Sequence, residues 1–140
     1  MTTAIDTNVI VALWDEDPGA TFAARAALEA AFKRGDLTVA APVFAELIAA
    51  PGRTENFVSA FFADTGIAID WELDEAIWRS AGRVFRDYAE RRRKHRYFGA
   101  RRILADFLIG AHAAAHGYRL LTLDERLYRT AFPALIVESV

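Results

Sequence analysis

Four carboxylates dominate the chemistry open to this chain: Asp6, Glu46, Asp106 and Asp124. Each stands beside apolar residues, as in Ala4-Ile5-Asp6, Phe44-Ala45-Glu46-Leu47-Ile48, Asp106-Phe107-Leu108-Ile109 and Leu120-Leu121-Thr122-Leu123-Asp124. Ionised carboxylates are rarely buried unless a cation pairs with them or they coordinate a metal. Four acids set among Ile, Val, Phe and Leu therefore suggest a shared cation. An oxygen-rich cluster suits Mg²⁺ or Mn²⁺, hard ions that make water more acidic and offset charge on a leaving oxygen in phosphodiester chemistry.

Each acid also has a plainer reading. Asp6 and Asp124 could cap helices that begin just after them. Glu46 could sit at an exposed edge or pair with an arginine. Asp106 could be a cap, or could pair with Arg102 four residues earlier. Taken singly these signals are weak, and their order and surroundings carry the weight.

Positioning four distant acids requires a scaffold of alternating elements. Short apolar segments rich in Ile, Val, Leu and Thr predict strands at 3–5, 37–40, 67–70, 119–122 and 134–137. Helical spacing predicts helices over 9–14, 18–34, 42–49, 54–64, 74–93, 106–116 and 125–131. Strands alternating with helices predict a three-layer α/β/α sandwich around a central, mainly parallel five-stranded sheet. In such sheets, sites form beyond the carboxyl ends of the strands at a topological switch point. Asp6 and Asp124 fall at strand carboxyl ends, and Asp106 opens the helix leading into the strand at 119–122.

A chain of 140 residues with 54% hydrophobic residues fits one domain, 1–140, with a substantial core. Neither a membrane span nor a signal peptide is expected. The absence of cysteine removes disulfides and thiolate chemistry, and fits a cytoplasmic protein. The net charge of −2 conceals a local excess of base. Between Arg79 and Arg102 lie 10 of the 17 Lys and Arg residues, against two acids, Asp87 and Glu90. Such a block can serve a nucleic-acid partner even where the overall charge is acidic.

Several motifs together resemble a known family. The strand followed by Asp6-Thr7-Asn8, then Pro42-Val43-Phe44-Ala45-Glu46, then Asp106-Phe107-Leu108-Ile109-Gly110-Ala111, then Leu121-Thr122-Leu123-Asp124, is similar to the PIN domain. The tail from Tyr128 through Phe132-Pro133 to Ile136-Val137 resembles it too. Coverage is nearly the whole chain, and the size matches VapC-type toxins of toxin–antitoxin pairs. The resemblance implies a Mg²⁺- or Mn²⁺-dependent endoribonuclease held inactive by a cognate antitoxin, often as a homodimer. It implies that Asp6, Glu46, Asp106 and Asp124 are the acidic quartet. Asp6 and Asp106 are favoured as direct metal ligands, with Glu46 and Asp124 at a second metal or acting through water. Asn8 and Thr122 would be polar neighbours that orient the carboxylates or hold water. The arginine-rich segment before Asp106 departs from many relatives. Two other readings stay open: a catalytically silent PIN-like module that binds RNA or protein, and a PIN nuclease of RNA processing outside any toxin pair.

Arg91, Arg92, Arg93, Lys94, Arg96, Arg101 and Arg102, interleaved with Tyr97 and Phe98, suit RNA: arginine binds phosphate bidentately and aromatics stack on unpaired bases. Antitoxin docking, or a solvated helix end whose cations oppose the dipole, are the alternatives. His112 and His116 have the i, i+4 spacing of a zinc pair, but position 113 is Ala, so the general-base Glu of a zinc protease is missing. Helix packing or an ordinary surface position is the expectation for both. Phe57, Phe61 and Phe62 are assigned to the core, with a partner groove or dimer interface as the competing role.

Overall fold

The structure is a computed structural model, and it describes residues 1–95 and 102–140. The described elements are β1 (Thr2–Ile5), α1 (Thr7–Leu13), α2 (Pro18–Arg34), β2 (Asp36–Ala40), α3 (Ala41–Ala49), α4 (Glu55–Thr65) and β3 (Ala68–Asp70). They continue with α5 (Glu75–Lys94), α6 (Leu104–His116), β4 (Arg119–Thr122), α7 (Glu125–Ala131) and β5 (Val137–Ser139). The sheet order is β3-β2-β1-β4-β5, and all four pairings are parallel.

The core follows from the strands. Thr3, Ala4 and Ile5 of β1, residues Leu37 to Ala40 of β2, and Leu120, Leu121 and Thr122 of β4 are buried in succession. Successive side chains point to opposite faces, so helices must cover both sides. This is a three-layer α/β/α fold. Right-handed crossovers put the connections running β1 to β2 to β3 on one face, and those returning to β4 and β5 on the other. The chain thus changes direction between β1 and β4, which opens a crevice at their carboxyl ends.

Helix boundaries agree with local chemistry. Asp74 caps α5 by accepting from the Ile77 N–H at 3.0 Å, and Asp17 caps α2 by accepting from Gly19 at 3.1 Å. Gly117 ends α6 at φ 67°, a left-handed conformation that glycine adopts without strain.

Three elements begin two or more residues from where the sequence places them. Helix α1 begins at Thr7 rather than at residue 9, so Thr7 and Asn8 lie in its first turn. Helix α6 begins at Leu104, which makes Asp106 its third residue rather than its first. The last strand runs over Val137–Ser139, later than 134–137. There the Leu135 N–H bonds back to the Phe132 carbonyl at 2.9 Å and buries Leu135 in a turn. Of residues 134–136 only Leu135 is buried; Ile136 is exposed, and its carbonyl accepts the Leu120 N–H at 2.9 Å, which leads into the strand.

Candidate active site

The crevice between β1 and β4 gathers the acidic residues. Asp6 follows β1 directly, and its N–H continues the ladder to the Leu121 carbonyl at 3.0 Å. It occupies the N-cap position of α1, yet its side chain makes no cap hydrogen bond. The carboxylate turns inward, is 3% exposed, and accepts from the Thr122 hydroxyl at 2.8 Å. Burial first, then repulsion from Asp106, pushes its pKa up to about 6, against the lowering effect of Thr122.

Thr122 is the hub of the β4 side. Its oxygen also accepts the Asp124 N–H at 2.9 Å, while Asn8 Nδ2 approaches it at 3.5 Å. Asn8 Oδ1 in turn accepts the Leu123 N–H at 3.1 Å. Asn8 therefore ties the first turn of α1 to the loop carrying Asp124.

Glu46 lies one turn into α3 and is half-buried. It meets no arginine among the described contacts; the Thr7 hydroxyl donates to its Oε1 at 2.6 Å. Burial, and then Asp106, raises its pKa despite that bond. Asp106 accepts a long hydrogen bond from the Ile103 N–H at 3.4 Å. Burial raises its pKa and Asp124 adds to the rise, while Ile103 and the charge of Arg102 oppose it. Asp106 thus acts on Asp6 and Glu46, and Asp124 acts on Asp106. One electrostatic cluster contains all four.

Arg102 pairs with Asp124 at 2.6 Å, where the sequence suggested Asp106 as its partner. Asp124 caps α7 in position only, since its side chain makes no cap bond. Tyr128 of α7 is 1% exposed, and its hydroxyl lies near Asp6 without a hydrogen bond of ordinary geometry. Burial, followed by the charges of Asp6, Asp106 and Asp124, pushes that hydroxyl far upward and keeps it neutral.

Sequence reasoning gave Thr7 and Tyr128 no place in the site. Thr7 was legible as the middle of a polar triplet, Asp6-Thr7-Asn8. Tyr128 had no signal beyond membership of the tail motif.

A cleft of about 300 Å³ adjoins Asp124 and is lined by Tyr88, Arg91, Arg92, His95, Arg102 and Arg126 with the α7 residues Leu127 and Thr130. Arg91, Arg92 and Arg102 of the basic segment thus face the acidic cluster's edge. Arg93 and Lys94 end α5 on its exposed side. Arg96 and Arg101, with Tyr97 and Phe98, lie outside the described residues.

The donor set fits a hard divalent ion. All four acids offer oxygen, three have pKa values raised by burial and like charge, and of the four only Asp124 is in an ion pair among the described residues. A 2+ charge among them would relieve repulsion that hydroxyl donors relieve only in part.

This fold with acids at its switch point defines the class. The PIN-domain family model matches residues 3–133, and the chain belongs to that family. No curated protein matches it. Solved structures share the fold, and three of them illustrate it. One is VapBC2 from Rickettsia felis bound to a DNA fragment from their promoter, with TM-score 0.62, 20% identity, and coverage of 99% of this chain and 98% of that one. VapBC-1 from nontypeable Haemophilus influenzae gives 0.66, 18%, 99% and 98%. FitAcB from Neisseria gonorrhoeae gives 0.64, 22%, 96% and 95%. At these identities the likeness is one of fold.

Proposed function

We propose that this protein is a VapC-type toxin, a Mg²⁺- or Mn²⁺-dependent endoribonuclease controlled by a cognate antitoxin. One observation carries the reading: Asp6 is buried beside other acids, with a hydroxyl rather than a cation as its partner. A carboxylate kept there against both desolvation and repulsion serves a positive ligand.

Asp6 and Asp106 would hold the ion directly, with Glu46 and Asp124 at a second ion or acting through water. When bound, the ion acidifies water and offsets charge on the leaving oxygen. The protein's own groups do the rest. Thr122 fixes the Asp6 carboxylate, and Asn8 fixes the Asp124 loop. Glu46, oriented by Thr7 and raised in pKa, takes the proton of the attacking water. Arg91, Arg92 and Arg102 grip phosphate oxygens along the adjoining cleft. Tyr128 stays neutral and keeps water from the buried side of Asp6.

The VapBC and FitAcB structures support an antitoxin as the natural partner. An apolar cleft lined by Leu13, Trp14, Leu28, Phe32 and Phe61 offers it a surface, with Phe32 65% exposed. Among the aromatics expected in the core, Phe62 is buried and Phe61 partly so, whereas Phe57 remains 46% exposed and packs edge-on against Trp14. A homodimer in the cytoplasm is the assembly and place this reading implies. Among the described residues, no helix is long and apolar enough to cross a membrane.

The test is cleavage of single-stranded RNA by antitoxin-free protein. Activity is expected with Mg²⁺ or Mn²⁺, lost in chelator, and reduced at least about 100-fold in Asp6→Asn and Asp106→Asn, the scale of losing a charge-stabilising group. Equal cleavage by both variants, after removal of contaminating nuclease, would reject the assignment.

A further inference from the structure

Outside the acidic cluster, one group of side chains meets the requirements of a different metal. His112 and His116 lie one turn apart on α6, and Asp70 ends the edge strand β3. Potential ligand atoms from all three lie within 4.8 Å of one another. From the geometry we infer a second metal site, Asp70–His112–His116, that takes a zinc-class transition ion. Two imidazoles and one carboxylate form a borderline donor set, suited to Zn²⁺ or Co²⁺ and ill-suited to Mg²⁺.

The ring nitrogens are arranged for this role. His116 Nδ1 lies 2.9 Å from the His112 backbone carbonyl. A carbonyl oxygen only accepts, so Nδ1 carries the proton and Nε2 keeps its lone pair. That hydrogen bond is the outer support commonly found behind metal-ligating histidines. His112 is fully buried, and its Nε2 stands 2.8 Å from Asp70 Oδ2. Its Nδ1 has no hydrogen-bond partner, so no second bond fixes which nitrogen bears the proton. Burial holds the His112 pKa below its ordinary value, which keeps the ring in the neutral form that metals bind. Asp70 Oδ1 accepts the Glu72 N–H at 3.2 Å, leaving Oδ2 turned toward the histidines.

Two ligand atoms on one tetrahedral zinc stand roughly 3.3 Å apart. His112 Nε2 and Asp70 Oδ2 therefore have to separate by about 0.5 Å as the ion replaces the proton between them. The ring proton moves to His112 Nδ1, which has no hydrogen-bond partner, so the imidazole binds neutral and no net proton is released. Three protein ligands leave a fourth position open, and the ion would staple β3 to α6. Asp106 lies six residues before His112 and ten before His116 on the same helix, about 9 and 15 Å along its axis. The two sites are therefore separate.

Titration of tag-free protein with Co²⁺, followed by its visible ligand-field absorption and by competition with Zn²⁺, tests the inference. With Mg²⁺ in excess to occupy the acidic cluster, one ion per chain is expected to bind, and Zn²⁺ to raise the melting temperature. The exposed His116→Ala and the half-buried Asp70→Asn should each weaken binding at least about tenfold while melting normally without metal. Asp6→Asn should bind as wild type does, which separates this site from the acidic cluster. Failure of RNA cleavage would leave the expected result standing. Absence of Co²⁺ and Zn²⁺ binding by wild type, or unchanged affinity in His116→Ala, would overturn it and leave the three residues as a hydrogen-bonded clamp.

Discussion

Asp6 concentrates the energetic tension of the molecule. Its folded pKa of about 6 stands above the ordinary value of 3.8, so the native state holds a proton that the unfolded chain releases between those values. Stability from this group is accordingly highest below about pH 4, falls as pH rises to about 6, and is flat beyond. The full effect is about 3 kcal/mol. Asp6→Asn removes the penalty while keeping the shape. In chelator at pH 7 to 8 the variant should melt above wild type, and the difference should vanish near pH 4. Urea titrations across that range check it; a wild type more stable than the variant at pH 8 would mean that the carboxylate is not strained by its surroundings. The acids were legible in sequence because charge beside apolar residues is conspicuous. Their hydroxyl partners were less so: Thr7 and Tyr128 are ordinary residue types that acquire a role only through a contact across the fold. Asp70, 42 residues from His112, was invisible for the same reason, and the missing Glu at position 113 directed attention away from the pair.

Elements set how closely those residues meet. Helix α6 carries Asp106 at one end and His112 and His116 at the other, and Gly110 lets it approach the chain after α7. A Cβ at Gly110 would lie 2.3 Å from the Phe132 ring, which real structures do not tolerate. Gly110→Ala should therefore destabilise by about 1–3 kcal/mol, although alanine favours a helix by about 1 kcal/mol over glycine. Equilibrium unfolding in urea measures the difference, and a more stable variant would show that α6 does not depend on this contact. The periodicity of apolar residues located the helices, and glycine and proline located several ends. Periodicity could not show that Asp6 occupies a cap position without capping. That outcome depends on Thr122, on another strand, offering a competing donor. Nor could it separate the buried turn around Leu135 from a strand, because both require apolar residues.

At the scale of the whole molecule, charge is segregated: an acidic pocket abuts an arginine-lined cleft. The overall charge of −2 describes neither. If Arg91, Arg92 and Arg102 each neutralise one RNA phosphate, affinity in chelator should fall with a log–log salt slope of about −2, roughly −0.7 for each contact. Binding that ignores salt would remove the phosphate role of the cleft. The proposed function requires the switch point of the sheet to bind a hard divalent cation. Its most direct measurement is Mn²⁺ binding by calorimetry to RNA-free protein, comparing wild type with Asp6→Asn and Asp106→Asn in a His116→Ala background that removes the histidine site. Saturable binding that either Asn substitution abolishes is the predicted result; Mn²⁺ affinity unchanged by both substitutions would contradict it.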